Sequence, residues 1–525
     1  MKKYTIGVDF GTLSARAVLL DLQSGEEVRE CVYTYPHGVM DFGRSRYALQ
    51  HPEDYREGLA QSIRGLQADP SCVVGLGIDF TCCTMLPVDE AWQPLCGRFP
   101  EEPHAYVKLW KHHGAVAQAE RFDSLAKGEE WFSVFGGKSS SEWLFPKIME
   151  TADEAPEVFA ATHRFVEAAD WLSYLLTGQE THNAAMAGLK NHWSKRCGYP
   201  PNEFLAQVHP ALNGIVGSKV SAIVNGVEET AGRLSEQGAA LVGLLPETPV
   251  SLPAVDAHAP LAALNVVEDG AMMVVIGTSA CHVVNATRAL PVPGITAYVE
   301  GGMLPGMVTY EAGQAGVGDS FDWFVKNCVP AAYTAEAAER GISVHALLRE
   351  KAQKKKAGEH GLLALDWWSG NRSVLKNDRL SGMILGLTLQ TAPEDIYRAL
   401  IEATAYGTRR IVENYEEHGI PVKSICAAGG IARKDPMLMQ IYADVTGREI
   451  RVAESTQAAA RGSALYAAVA AGECKDIFEA AERFACPYAE VYLPGEEREA
   501  YERLYREYKT LHDYFGKENR VMETL

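Results

Sequence analysis

Short apolar runs flank a polar segment at the start of the chain. Thr5 to Val8 and Ala15 to Leu20 are β-branched and apolar, a pattern that favours two short strands. The residues between these runs are of the types found in tight turns: Asp9, Gly11, Thr12 and Ser14. The pattern therefore predicts a β-hairpin with a polar tip.

The tip of this hairpin carries groups that suit a phosphate. Glycine lets backbone N–H groups approach closely, hydroxyl groups and Arg16 can donate to phosphate oxygens, and Asp9 can hold Mg²⁺ through water. The alternative is an ordinary hairpin with a polar tip, because a motif of this length also occurs without function.

A second copy of the pattern lies near the middle of the chain. Residues 272–285 again read as strand, tip and strand, and the tip consists of Gly277, Thr278 and Ser279. Internal repetition of this kind predicts two similar domains that face one nucleotide.

Strands alternate with helical patterns in the first half, which indicates α/β construction. Val73 to Phe80 reads as a buried strand, and Cys82 follows it at the carboxyl end, where ligands gather in such sheets. Residues 181–215, which include Lys190, are polar and read as irregular, as functional segments often are. Asp256 follows another short apolar run and would lie between the domains; a turn or helix-cap aspartate is the alternative.

The second half has clear helix signals. Thr391 to Glu394 has the form of a capping box and predicts a helix that ends near Gly419. Farther on, a strand precedes a glycine-rich loop, Gly429 to Lys434, and Asp435 caps the next helix. Strand, double glycine and helix start suit a nucleotide contact, although a glycine-rich crossover loop is the alternative.

Chain length and net charge make some classes of function less favoured than others. A chain of 525 residues predicts two large domains. The 49 basic and 68 acidic residues give a net charge of −19, which disfavours nucleic acid and anionic membranes as partners.

No apolar run reaches the roughly 18 residues of a membrane span, and the first residues lack a signal-peptide pattern, so we expect a cytoplasmic location. Eleven cysteines without CxxC predict reduced thiols, and the histidine spacing predicts no structural zinc.

Together these motifs resemble those of the FGGY carbohydrate kinases, and the resemblance covers nearly the whole chain. It rests on four runs: Asp9-x-Gly11-Thr12-x-Ser14-x-Arg16, Gly382-x-Ile384-x-Gly386-Leu387, Asp395-Ile396-x-x-Ala399 through Glu402, and Gly429 to Lys434. The resemblance implies an α/β fold of two RNase-H-like domains, as in actin and Hsp70, with an ATP cleft between them. The implied domains are residues 1–258 and 259–525.

Further runs resemble the branch of this family that phosphorylates L-ribulose at its 5-hydroxyl: Trp110 to His113, Ser140 to Trp143, Tyr310 to Gln314 and Leu365 to Arg372. The resemblance implies that Asp256 is the catalytic base and that Asp9 positions Mg²⁺. It implies that the ketopentose is contacted by Cys82, Trp110, Lys190, Asp256 and Glu311. It also implies that ATP is held by Gly11, Thr12, Ser14, Arg16, Gly277, Thr278, Ser279, Gly429, Gly430 and Lys434. The chain departs from the family pattern at Leu13, Cys82 and Arg461.

Other functions fit the same hairpins. A related kinase could act on D-ribulose, D-xylulose or ribitol, which differ from L-ribulose only in pocket detail. An actin- or Hsp70-like ATPase with a conformational output is a less favoured alternative. We expect the small-molecule partners to be a ketopentose and Mg-ATP, and the chain to form a homo-oligomer, a dimer.

Overall fold

The computed structural model describes residues 2–524, which divide into two compact units. The first unit comprises residues 2–267, 297–309 and 457–486, and the second comprises residues 268–296, 310–456 and 487–524. The predicted domain boundary between residues 258 and 259 stays a prediction.

The strands, in chain order, are β1 Tyr4–Phe10, β2 Ser14–Asp21, β3 Glu27–Thr34, β4 Leu49–Gln50, β5 Val73–Phe80, β6 Met85–Val88, β7 Val107–Lys108, β8 Arg164–Glu167, β9 Thr230–Arg233, β10 Pro249–Ser251, β11 Ala254–Val255, β12 Ala271–Ile276, β13 Ala280–Ala286, β14 Ala297–Glu300, β15 Val308–Gln314, β16 Leu363–Leu365, β17 Met383–Leu385, β18 Ser424–Ala428, β19 Ile450–Ala453 and β20 Tyr488–Tyr492.

The α-helices are α1 Pro52–Gly65, α2 Val116–Ala126, α3 Leu144–Glu154, α4 Pro156–Ala161, α5 Ala168–Thr177, α6 Ala184–Lys190, α7 Asn202–Val208, α8 Ile215–Ser218, α9 Glu236–Val242, α10 Pro260–Ala263, α11 Gly318–Cys328, α12 Ala331–Glu339, α13 Val344–Ala352, α14 Pro393–Glu417, α15 Gly430–Lys434, α16 Pro436–Thr446, α17 Ala458–Ala470, α18 Ile477–Phe484, α19 Arg498–Asp513 and α20 Val521–Thr524.

The first hairpin forms the centre of a sheet in the first unit. Strands β1 and β2 pair antiparallel, as predicted, and the sheet order is β3-β2-β1-β5-β10-β9. β1 pairs parallel with β5, and β11 also pairs parallel with β5. The carboxyl ends of β1, β5 and β11 therefore lie at one edge of the sheet.

The second unit repeats this strand pattern. Its sheet runs β15-β13-β12-β18-β19-β20, with an antiparallel β12–β13 hairpin and parallel pairing of β12 with β18 and of β18 with β19. The last strand pairs antiparallel in both sheets, as β9 with β10 and β20 with β19. The predicted repetition of the hairpin thus extends to six strands of each sheet.

Helix α17 packs unusually close to β1 and β5 in the first unit. A Cβ atom at Gly7 would lie 1.8 Å from the carbonyl oxygen of Ala460, and one at Gly77 would lie 2.2 Å from that of Ser463. A side chain at either strand position would push the helix away, so glycine is required there. This close packing brings the Ser463 hydroxyl to 2.6 Å from the Asp79 carboxylate.

Lys190 does not lie in an irregular loop, as the sequence had suggested. It is the last residue of α6, a helix whose N-terminus is capped by the Asn183 side chain, which accepts the Ala185 N–H at 2.6 Å. The run between these residues is rich in alanine, which favours a helix, but it is short enough to be overlooked among polar neighbours. A second helix, α7, lies in the same predicted irregular segment.

Two predictions in the second unit need correction. The cap of α14 is Ala392, not Thr391: Asp395 accepts the Ala392 N–H at 2.9 Å, because Pro393 fits the first helical position and keeps the preceding residue extended. The glycine-rich loop is in fact a short helix, α15, that begins at Gly430. The predicted Asp435 cap is confirmed, since its side chain accepts the Leu438 N–H at 3.0 Å.

All eleven cysteines are free thiols. Among residues 2–524, no helix combines the length and the apolar character that crossing a membrane requires.

Candidate active site

The tip of the first hairpin is a closed turn. The Gly11 N–H donates to the Ser14 carbonyl oxygen at 3.0 Å, and Arg16 lies opposite Asp9 in the strand register. The Arg16 guanidinium is 3.8 Å from the Asp9 carboxylate. The indole N–H of Trp110 donates to the Thr12 hydroxyl at 3.1 Å, so a residue predicted to contact sugar touches one predicted to hold phosphate.

Three aspartates gather at the carboxyl ends of β1, β5 and β11. Asp9 pairs with Asp79 in the parallel register, and Asp79 pairs with the residue two positions before Asp256. Burial raises the pKa of Asp79 well above its ordinary value, and the charge of Asp9 adds to that shift. Burial also raises the pKa of Asp9, although a hydrogen bond with Asp79 and the charge of Arg16 oppose the shift. Burial and the neighbouring charge of Asp9 therefore both favour the neutral form of Asp79.

Asp256 follows β11 directly and is held by backbone contacts. Its N–H donates to the Phe80 carbonyl oxygen at 2.9 Å, and its carboxylate accepts the Ala257 N–H at 2.7 Å. Burial, and after it the charge of Asp9, raises the pKa of Asp256 to about 7. The cap of the next helix is Ala259, so Asp256 is not a helix cap, although it does lie in a turn, as the alternative prediction had it. A carboxyl group with this pKa can exchange a proton near neutral pH.

The residues predicted to contact sugar from the first unit are linked to one another. Lys190 Nζ lies 5.9 Å from the centroid of the Trp110 ring and donates to the Glu142 carboxylate at 3.3 Å. The Cys82 thiol is 3.9 Å from the carbonyl oxygen of Met186, on the same helix as Lys190. A cation, an aromatic face and a carboxylate are suited to binding a polyhydroxy compound by hydrogen bonds and ring packing.

The second hairpin tip is also closed by a glycine N–H, in a turn one residue shorter than the first. The Gly277 N–H donates to the Ser279 carbonyl oxygen at 2.9 Å. The carbonyl oxygens of Gly277 and Thr278 in turn accept the N–H groups of Gly318 and Val317, at 3.0 and 2.8 Å. The tip is therefore fixed against the start of α11, a helix of eleven residues whose N-terminus favours an anion.

The double glycine lies beside this tip. Gly429 has a φ of +99°, and a Cβ there would lie 2.4 Å from the Ile276 carbonyl oxygen, at the end of β12. Around Gly430, by contrast, a Cβ would meet no heavy atom within 4 Å. Lys434 ends α15, and its carbonyl oxygen accepts a bond from Arg349 at 2.9 Å. Glu311 lies in β15 of the same unit, and its carbonyl oxygen accepts the Thr296 N–H.

Two acidic residues that contact the site, Asp79 and Glu142, were given no role in the sequence analysis. Asp79 lies near the end of an apolar strand run. Ligands gather at the carboxyl ends of such strands, so a carboxylate at this position could have been predicted as a site residue. Glu142 lies within one of the family runs, but its contact with Lys190 depends on helix α6, which the sequence reading missed.

Both halves of the chain match models of one protein family. Residues 4–263 match the N-terminal domain of the FGGY family of carbohydrate kinases, and residues 272–471 match its C-terminal domain. The chain belongs to the FGGY family of carbohydrate kinases. The predicted family is confirmed, and the protein is an ATP-dependent sugar kinase.

Relatives named ribulokinase align with almost the whole chain. The chain is 47% identical to ribulokinase from Bacillus licheniformis, with 98% of this chain and 97% of the relative covered. It is 44% identical to ribulokinase from Mycolicibacterium smegmatis, with 100% and 96% covered. The resemblance to the ribulokinase branch that the sequence motifs predicted is therefore confirmed.

Solved structures of FGGY kinases share the fold. Gluconate kinase from Lactobacillus acidophilus superposes with a TM-score of 0.83 at 17% identity, covering 99% of each chain. Xylulose kinase from Rhodospirillum rubrum gives 0.82 at 21% identity, covering 97% of this chain and 98% of the other. At such identities the likeness shows the fold alone, and it confirms the predicted pair of actin- and Hsp70-like domains.

Proposed function

We propose that this sugar kinase transfers the γ-phosphoryl group of ATP to the 5-hydroxyl of L-ribulose. The observation that carries this substrate is the identity of up to 47% with relatives named ribulokinase, over nearly the full length of both chains. Identity at that level over full length preserves pocket residues better than a shared fold does, because one fold serves many substrates.

Asp256 serves as the general base in this proposal. The pKa of Asp256, raised to about 7, lets the carboxylate accept the proton of the sugar hydroxyl as the hydroxyl oxygen attacks the γ-phosphorus. Its two backbone contacts fix its direction, so the group needs little reorganisation before the reaction. Phosphoryl transfer asks the protein mainly for alignment and charge stabilisation, which a fixed carboxylate provides.

Trp110, Lys190, Cys82 and Glu311 contact the ketopentose in this proposal. Lys190 is only 13% exposed and is paired with Glu142, so it offers hydrogen bonds from a fixed position. Trp110 supplies an aromatic face beside it. Glu311 is included on the family resemblance.

The residues at the hairpin tips fit ATP with Mg²⁺. Residues 2–524 do not bring three His, Cys, Asp or Glu side chains together as a metal cage. A Mg²⁺ ion is commonly held by one or two carboxylates, water and substrate phosphates, and Asp9, 14% exposed, suits that role. When bound, the ion would neutralise phosphate charge during transfer.

The phosphates would be held by Gly11, Thr12, Ser14, Arg16, Gly277, Thr278 and Ser279, and the remainder of the nucleotide by Gly429, Gly430 and Lys434. Each tip carries hydroxyl side chains that can donate to phosphate oxygens, and the open space at Gly430 allows a ligand to approach the backbone. A dimeric state and a cytoplasmic location remain part of the proposal, and sedimentation of the purified protein checks the first.

An ADP-release assay with Mg-ATP tests the substrate. The panel contains L-ribulose, D-ribulose, D-xylulose, ribitol and glycerol, and Asp256→Asn serves as the matched control for contaminating activity. We expect the highest kcat/KM for L-ribulose, with the product phosphate on carbon 5 by phosphorus NMR. A clear preference for D-xylulose or another member of the panel would overturn the substrate while leaving the sugar kinase in place.

A further inference from the structure

A fully buried lysine contacts two chain segments that carry residues proposed to bind the sugar. Lys147 is on α3, its side chain is 0% exposed, and its Nζ donates to the carbonyl oxygens of Cys83 at 2.6 Å and Leu109 at 2.9 Å. Cys83 follows Cys82, and Leu109 precedes Trp110. One ammonium group therefore joins the two chain segments that carry two of the residues proposed to contact sugar.

The partners of Lys147 distinguish it from a neighbouring buried lysine. Lys108 is also 0% exposed, but it donates to the Glu150 carboxylate at 2.6 Å, a direct ion pair. Lys147 instead donates to main-chain oxygens, and the charged groups that influence it from nearby are Lys190, Glu167 and Glu142. Burying an ammonium group is unfavourable unless hydrogen bonds compensate for the lost water. The two carbonyl oxygens are the partners that Lys147 has in this position.

The segment that Lys147 holds is conformationally strained. Cys83 has a φ of +60°, in the left-handed region that a residue with a Cβ adopts only when its surroundings enforce it. The neighbouring Thr81 and Thr84 hydroxyls hydrogen-bond each other at 2.6 Å across the same turn. The bond from Lys147 to the Cys83 carbonyl oxygen is one of the contacts that fix this turn.

A buried carboxylate ties the same turn to a third segment. Glu167, 3% exposed, accepts the Thr84 N–H at 2.9 Å through one oxygen and the Asn191 side-chain amide at 3.0 Å through the other. Asn191 directly follows Lys190, the third sugar residue of this unit. Burial lowers the pKa of Lys147 and raises the pKa of Glu167, and the attraction between the two groups opposes both shifts.

We propose that Lys147 and Glu167 are positioning residues for sugar recognition, which set the relative placement of the segments that carry Cys82, Trp110 and Lys190. This inference rests on the proposed sugar contacts. Neither group needs to touch the sugar; each fixes the backbone beside a group that does. A misplacement of about 1 Å in a binding group can weaken binding strongly. Loss of either residue should therefore weaken sugar binding more than nucleotide binding.

The test compares Lys147→Met, which keeps the length of the side chain and removes its donors, with Lys219→Met. Lys219 lies in the same unit, is less buried than Lys147 and donates to the Thr162 carbonyl oxygen, so it is a lysine-to-carbonyl contact that touches none of the three segments through its side chain. The readouts are the KM for the sugar that the wild-type enzyme phosphorylates best, the KM for ATP, and the melting temperature.

We expect Lys147→Met to raise the KM for sugar about 10- to 100-fold with the KM for ATP within about twofold of the wild-type value. Glu167→Gln should act in the same direction, because an amide cannot accept at both of its ends, and it provides the test if Lys147→Met does not fold. Lys219→Met should leave the KM for sugar unchanged.

The proposal is overturned if folded Lys147→Met or Glu167→Gln keeps the wild-type KM for sugar. It is also overturned if the KM values for sugar and ATP rise in the same proportion, as general loosening of the fold would cause. Failure of L-ribulose as the substrate is a separate outcome, because the KM is measured with whichever sugar is turned over.

Discussion

Trp110 donates its indole N–H to the Thr12 hydroxyl at 3.1 Å, and this bond links the hairpin tip predicted to hold phosphate to the segment predicted to contact sugar. The same indole ring lies 5.9 Å from Lys190 Nζ. Placement of the sugar group and placement of the phosphate tip are thus coupled within one unit.

This coupling is measurable as a double-mutant cycle on kcat/KM for the sugar. Trp110→Phe removes the N–H, Thr12→Val removes the hydroxyl at nearly constant shape, and Thr12→Ser is the control that keeps the acceptor. We expect an interaction free energy of about 0.5–1.5 kcal/mol, the usual contribution of one hydrogen bond. Strict additivity of the two single variants would show that the bond has no part in catalysis.

Replacement of Asp256 tests the proposed base. Asp256→Asn keeps the shape and the backbone contacts of the residue and removes its ability to take a proton. We expect kcat to fall by about 10²- to 10⁴-fold, while ATP affinity measured by calorimetry stays near the wild-type value. Loss of ATP binding in a folded Asp256→Asn protein would contradict the assigned role.

The pH dependence of the reaction follows from the pKa of Asp256, which burial and the charge of Asp9 raise to about 7. A base acts in its deprotonated form, so activity is retained above this pKa and lost as the pH falls through it. We expect kcat/KM for the sugar, which reports the free enzyme, to decline about tenfold per pH unit on the acid side. A level profile from about pH 6 to 8 would be inconsistent with this base.

Much of the frame of the site could be predicted from the sequence because its signals are local. The β-branched runs around Gly11 and the repeat of that pattern at Gly277 predicted two hairpins, and both form, each with a glycine N–H closing its tip. Asp256 was expected after a short apolar run, and it directly follows β11.

Other features could not be read from sequence because they depend on distant packing. The raised pKa of Asp79 arises from burial and from the charge of Asp9, which lies on a neighbouring strand but far earlier in the chain. The two carbonyl contacts of Lys147 join three separate segments, and no spacing along the chain encodes them. The cap of α14 is a different case, because its signal is local: Pro393 occupies the first helical position and makes Ala392, not Thr391, the cap.

Asp79→Asn tests whether Asp79 is held in its protonated form. An acid whose pKa is higher in the folded than in the unfolded state makes the free energy of unfolding decrease as the pH rises above the ordinary value of 3.8. Asparagine does not titrate, and it can still accept from Ser463 and donate to Asp9. We therefore expect the stability of the variant relative to wild type, by urea unfolding, to increase as the pH rises above the ordinary pKa of 3.8. A stability difference between variant and wild type that does not change with pH would contradict the raised pKa of Asp79.

The two glycines at the start of α15 should respond differently to alanine. Gly429→Ala puts a Cβ 2.4 Å from the Ile276 carbonyl oxygen and forces alanine to a φ of +99°, so we expect a loss of at least about 2 kcal/mol in the free energy of unfolding. Gly430→Ala meets no heavy atom within 4 Å and should leave the melting temperature unchanged. If the nucleotide approaches the backbone there, Gly430→Ala still raises the KM for ATP, because the new methyl group occupies that open space. An unchanged KM for ATP in Gly430→Ala would remove Gly430 from the proposed nucleotide site, whatever the stability of Gly429→Ala.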